Sequence, residues 1–338
     1  MLGVAGAVVG VYSHRHRGPL PNVGSGQAPD LLSLLPADAP VIAYADLAAL
    51  RGLKSSPLAA ALGLTLPGPQ QDQGYTDFVR ETGFDYARDL DRVALALWPN
   101  SLGTPGGRPP SGHSLAIADG RFDRRRIAAY ALRFGWQEKD KPHSVYEFPG
   151  PPPDESLFLR FLSPGRVALT NDFALLGNLR SAAPVRSGAR DALIESRIER
   201  VAGAPIFAVA RTDNLPPSVY AGLADSPQLE QLARSVVSLT LAGKPSGDDL
   251  RVALDGECNS MKNALGISTL LEISRMGASL ALSDPKTRRQ MTKEQAAFLT
   301  ALVDQLKVNR QDKWVRVTLD ITPAMLGAST NPAKTAGR

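Results

Sequence analysis

Cysteine is almost missing from this chain. Cys258 stands alone among 338 residues, so no intramolecular disulfide and no cysteine-based metal site can form. Histidine is scarce as well, with four residues: His14, His16, His113 and His143. His14 and His16 lie in a short basic stretch with no further ligand nearby. No H-E-x-x-H occurs, and a metal centre needs three or four converging donors. No G-x-S-x-G elbow supports a Ser-His-Asp arrangement. There is no Walker A sequence. No G-x-G-x-x-G opens a helix after a strand; Gly24-Ser25-Gly26 sits in a Pro/Gly-rich stretch. Aromatic residues make up only 6%, so a surface built to stack bases or sugars is not expected.

Two smaller patterns also fall short of chemistry. Ser283-Asp284-Pro285-Lys286 spells S-x-x-K. In penicillin-binding enzymes that pattern sets Ser and Lys one turn apart at a helix start. Here Asp-Pro reads as a turn between helices, and the companion S-D-N and K-T-G motifs are missing. Asp46, Asp119 and Asp255 each end an apolar stretch, where Asp normally serves as a turn or helix-cap residue. The sequence therefore nominates no catalytic residue, no cofactor-binding residue and no metal ligand.

What is present is an aliphatic, globular composition. Hydrophobic residues are 43% and charged residues 21%, enough to bury a sizeable core. The net charge of +5 is spread thinly. Its densest clusters are Arg124-Arg125-Arg126 with Arg121, and Lys286 with Arg288 and Arg289. Nucleic-acid binders concentrate far more charge on one face, so these read as solvated faces and no nucleic-acid partner is expected. A mildly basic protein also suits an anionic membrane surface. Cys258 reads as a small buried residue after an Asp-Gly turn.

Leu2–Tyr12 is apolar and small, followed by Ser13-His14-Arg15-His16-Arg17 and then a Pro/Gly-rich stretch. Eleven residues span about 16 Å as a helix, short of a bilayer core of about 30 Å. Such a shift from apolar to basic to flexible is typical of the chain leaving a membrane anchor. Residues 1–17 are therefore expected to be the tail of a longer anchor or signal segment, and residues 18–30 a linker. The alternative is a disordered tail on a cytoplasmic protein. Gly6 and Gly10 form a G-x-x-x-G, a pattern that chance readily produces among small residues.

The rest of the chain repeats itself loosely. Val41–Asp46 after Pro40 has a counterpart in Ile206–Arg211 after Pro205. The strand ending at Asp119-Gly120, followed by a helix, is matched by one ending at Asp255-Gly256. Val167–Asp172 is matched by Val315–Asp320. Strands come as neighbours with short connections, and helices as separate pieces. The expectation is an α+β fold: two related halves, 31–203 and 204–323, with largely antiparallel sheets flanked by helices, and a frayed tail over 324–338. Helices are predicted over 47–64, 75–82, 124–134, 189–201, 226–234, 260–276 and 292–308. Thr292-x-x-Gln295 is a capping-box signature for the last.

The segment Leu31-Leu32-Ser33-Leu34-Leu35-Pro36-Ala37-Asp38-Ala39-Pro40, with the strand after it and Ala48-Ala49-Leu50-Arg51, resembles the entry into a repeated α+β domain in a group of bacterial envelope proteins of uncharacterised activity. The resemblance covers residues 31–62. It implies an envelope location and carries over no functional residue. The expected function is a non-enzymatic, membrane-tethered binding or scaffold module facing the periplasm or cell exterior, with an envelope protein or lipid as partner. The alternatives are a hydrolase without a recognisable motif and a carrier of lipid or another hydrophobic ligand. In the carrier, the aliphatic helices over 47–64 and 260–276 would line a cavity. Core packing explains the same residues.

Overall fold

Val41–Asp46 (β1) sits near the middle of a single twelve-stranded sheet in the computed structural model. The structure describes residues 30–51, 73–101, 111–148, 156–177, 179, 192–201, 203–213, 215, 227–246, 249–322 and 325. The expected anchor, all of the linker but Asp30, and most of the tail lie outside them.

The first half builds a meander from β1, Leu90–Ser101 (β2) and Ser111–Gly120 (β3). The chain then crosses through a helix and returns as Gln137–Asp140 (β4), Val145–Phe148 (β5), Leu157–Ser163 (β6) and Arg166–Thr170 (β7). β7 closes back on β3. The second half has the same plan with two fewer strands. Ile206–Arg211 (β8), Val236–Ser246 (β9) and Asp249–Cys258 (β10) form the meander. Lys307–Gln311 (β11) and Trp314–Ile321 (β12) return, and β12 closes on β10. The spatial order is β11-β12-β10-β9-β8-β1-β2-β3-β7-β6-β5-β4, and the pairings are antiparallel. The α+β architecture with antiparallel strands and flanking helices is the one expected. The two halves share one continuous sheet.

The halves meet where β1 runs antiparallel to β8, with Ala43 opposite Ala208. Beside that pair Tyr44 stacks on Phe207 with centroids 5.3 Å apart. On this face Ile42, Ile117 and Val209 are fully buried. They are covered by Leu31, Leu32 and Leu35, at or beside the 3-10 helix Asp30–Leu34. Ile194, Ile198 and Val201 of helix Ala192–Val201 complete the cover. Their spacing of three and four residues makes one helical stripe.

The opposite face carries two helical layers. Over the first half lie Gln73–Thr82 (α2), Tyr86–Asp89 (α3) and Arg124–Arg133 (α4), after the short helix Leu47–Arg51 (α1). Phe78, Phe84, Phe122 and Tyr130 form their aromatic contact chain. After Phe173–Gly177 (α5), Ala192–Val201 (α6) and Pro227–Arg234 (α7) come Met261–Ser283 (α8), Pro285–Arg289 (α9) and Lys293–Gln305 (α10). α8 and α10 cover the second half. The capping box at Thr292 and Gln295 forms with both reciprocal hydrogen bonds.

Several local expectations change. The Asp-Gly pairs do not break strands: β3 runs through Gly120, and β10 runs on to Cys258. An arginine directly across the sheet occupies each carboxylate, so neither acts as a local cap. Gly120 is required by a close approach, since a Cβ there would collide with the Asp89 carbonyl oxygen. Residues 307–311 form a polar edge strand, not the end of a helix, and the hairpin to β12 turns at Asp312 with φ of 52°. α8 runs to Ser283, two turns beyond the expected end. The sequence match pairs Val167 with Val315, whereas the residues opposite Asp119 and Asp255 are Arg166 and Arg316, two residues out of step with it. The 52–64 part of the expected first helix lies outside the described residues.

Candidate functional site

α8 is the longest of the described helices, yet only Ala264 and Leu282 of its residues are buried. Ser260 caps it by accepting a hydrogen bond from the Asn263 amide, and Asp284-Pro285 stops it. At 23 residues it extends about 35 Å. Its inner side is anchored. Ala264 is buried, and Ile267 and Leu271 pack on Cys258, Val315 and Val317 of the sheet.

Its outer side is also apolar. Met261, Leu265, Ile273, Met276 and Leu280 are 62%, 52%, 61%, 63% and 76% exposed. Thr269, also exposed, fills the remaining step. Steps of three and four residues set these side chains on one stripe along the length of the helix. Isolated exposed apolar residues are common, but a contiguous stripe marks an interaction surface. α8 is also long and apolar enough to cross a membrane, and the only such helix among the described residues. The same length and composition suit a helix lying on a sheet, which is where this one sits.

The basic cluster at 286–289 adjoins this stripe. Lys286, Arg288 and Arg289 in α9 are exposed and make no ion pair among the described residues. Lys262 is exposed at the other end of α8. Glu272 pairs with Arg275 at 2.8 Å, and Asp284 caps α9 through the Lys286 amide. Ser283 and Lys286 therefore flank a helix junction, as the Asp-Pro signal implied.

The other basic cluster is dispersed into structure. Arg126 donates to the carbonyl oxygens of Arg80 and Glu81 at the end of α2. Arg121 pairs with Asp89, and Arg124 donates to Ser144 and lies over Phe161.

The remaining candidates do not converge. His113 lies 3.4 Å from Asp172 and His143 lies 2.7 Å from Asp140, as two separate exposed pairs. His14 and His16 lie outside the described residues. Among the described residues no cluster of three His, Cys, Asp or Glu side chains could hold a metal. Asp46 caps α1 by accepting from the Ala49 amide. Asp119 and Asp255 are separated by five strand spacings, about 24 Å, too far to act as a carboxylate pair. Cys258 is fully buried, and burial first, then the neighbouring Glu257 charge, pushes its thiol upward.

No protein-family model matches the chain, and no curated protein matches it. Solved structures similar to it include crystal form I of TP0453, with 11% identity and a TM-score of 0.44 over 90% of this chain and 97% of that one. Crystal form III of TP0453 gives 12% identity and a TM-score of 0.45 over 89% and 97%.

Proposed function

We propose that the protein is a non-enzymatic envelope protein that lays the outer face of α8 on an anionic lipid bilayer. The observation that carries this reading is the apolar stripe Met261, Leu265, Ile273, Met276 and Leu280 beside the exposed Lys286, Arg288 and Arg289. A helix with one apolar stripe and flanking cations lies in the plane of the interface, with its apolar side among the acyl chains. Fully burying one large apolar side chain is worth about 1.5–3 kcal/mol. Half of that for each of the five amounts to about 4–7 kcal/mol. Each basic residue near an anionic surface adds about 1 kcal/mol. The cations of α9 thus contribute about 3 kcal/mol, or about a hundredfold preference for anionic over neutral lipid. A bilayer is a better occupant than a protein for this stripe, because unpaired cations at its end complement lipid phosphates. An anchor in residues 1–17 would hold the sheet near the same membrane.

Co-sedimentation with phosphatidylglycerol and phosphatidylcholine vesicles tests the reading. The protein should partition strongly to the former and weakly to the latter. Ile273→Glu with Met276→Glu should abolish the partition while leaving the fold intact, since both side chains already face water. Equal binding by parent and variant, or no binding by either, contradicts it.

A further inference from the structure

The opposite face of the sheet carries a feature that the membrane reading does not use. A cavity of ≈ 230 Å³ opens between α6 and the β9, β10 and β12 strands, lined by Arg197, Arg200, Thr240, Asp255, Trp314 and Arg316. We infer that this cavity binds a phosphoryl group.

The two halves differ at this point of the sheet. In the first half, Asp119 accepts a bidentate pair from Arg166 and a further hydrogen bond from Arg92 at 2.6 Å. In the second half, Asp255 accepts the equivalent pair from Arg316. The residue across from it on β9, where β2 has Arg92, is Thr240. Replacing a guanidinium by a hydroxyl opens space at the sheet surface. The cavity lies at that position.

Its chemistry is cationic and incompletely satisfied. Arg197 and Arg200, one turn apart on α6, both lie over the Trp314 ring, at 4.4 and 4.3 Å from its centroid. Arg200 has no carboxylate partner among the described residues. Arg197 bonds Glu257, yet its Nε is buried with no hydrogen-bond partner. Thr240 is 4% exposed, and its hydroxyl has no partner either. Buried polar groups are normally paired, so two such atoms on one cavity point to a polar occupant. Three guanidiniums face one carboxylate in the lining. Glu257 below is balanced by Lys313, 2.6 Å away. Two positive charges are left over, which matches a dianion. Donors from two elements, not one planar fork, suit the tetrahedral oxygens of a phosphoryl group. Trp314 keeps both guanidiniums oriented by cation–π contact.

Calorimetric titration of the full chain, in the absence of lipid, tests this with inorganic phosphate and with glycerol 3-phosphate. Saturable one-to-one binding of either probe is expected. Arg200→Gln should weaken it at least tenfold. Thr240→Val, a near-isosteric change, should weaken it while leaving the fold and melting temperature close to the parent's. Comparable affinity for both probes identifies free phosphate as sufficient. Binding of glycerol 3-phosphate alone identifies an organic phosphate. No saturable binding of either, or binding unchanged by both substitutions, overturns the proposal. The Ile273→Glu, Met276→Glu protein should bind the probes as the parent does, so failure of the membrane reading and failure of this one are separable.

Discussion

Asp119 and Arg166 face each other across β3 and β7, as Asp255 and Arg316 do across β10 and β12. Each pair is bidentate: 2.6 and 3.0 Å in the first half, 2.5 Å for both contacts in the second. Both carboxylates are largely shielded from solvent. Breaking a shielded pair strands the partner's charge, which costs more than the pair itself contributes. Asp119→Ala removes the carboxylate that accepts from both Arg92 and Arg166, whereas Asp255→Ala removes one that accepts from Arg316. Urea denaturation should show a loss of about 3 kcal/mol or more for Asp119→Ala and a smaller loss for Asp255→Ala. The reverse order would contradict the assigned networks.

Glu257 predicts an acid-sensitive contribution to stability. Burial alone would raise its carboxyl. Hydrogen bonds from Lys313 and Arg197 outweigh burial and hold it below the ordinary carboxylate range. A carboxyl depressed in the folded state contributes its full stability above the unfolded chain's value. It loses that contribution as pH falls through the folded one. Stability should therefore decline below about pH 5, and Glu257→Gln should flatten that decline while lowering stability at neutral pH. Denaturant midpoints measured across pH would check both.

Cys258 should be inert while the protein is folded. Its thiol is fully buried between α8 and the sheet and is shifted upward by burial and by Glu257. A thiol-reactive dye should label it only after denaturant is added. Rapid labelling of native protein would mean that α8 lifts from the sheet.

Gly120 should not tolerate a side chain. The obstacle is the Asp89 carbonyl oxygen, a backbone atom that cannot turn aside. Gly120→Ala should cost about 2 kcal/mol by overpacking, whereas Gly135→Ala meets no neighbour and tests only its φ of 86°. Melting temperatures of the two variants would show the difference.

Local signals in the chain hold where the partner is local, as at the Thr292 and Gln295 box. The antiparallel α+β plan is legible from strands spaced by short connections. Asp119 and Asp255 resemble turn residues in sequence because their partners lie 47 and 61 residues away. No local rule reaches that far. β11 reads Lys-Val-Asn-Arg-Gln, and as a solvent-facing edge strand it needs no apolar alternation to form. The stripe on α8 is hidden for a different reason. A largely apolar helix looks the same whether it is buried on two sides or one, and only the fold shows that Ile273 and Met276 face outward while Ile267 and Leu271 face the sheet.

The most direct measurement of the central claim places an environment-sensitive fluorophore at Ile273→Cys and, separately, at Glu138→Cys on the far edge strand. The buried Cys258 should leave each introduced thiol as the labelled site. With phosphatidylglycerol vesicles, the label at 273 should shift to shorter wavelength and brighten as it enters the acyl region, and the label at 138 should not change. A label at 273 that stays in water while the protein is vesicle-bound would contradict the docking of α8.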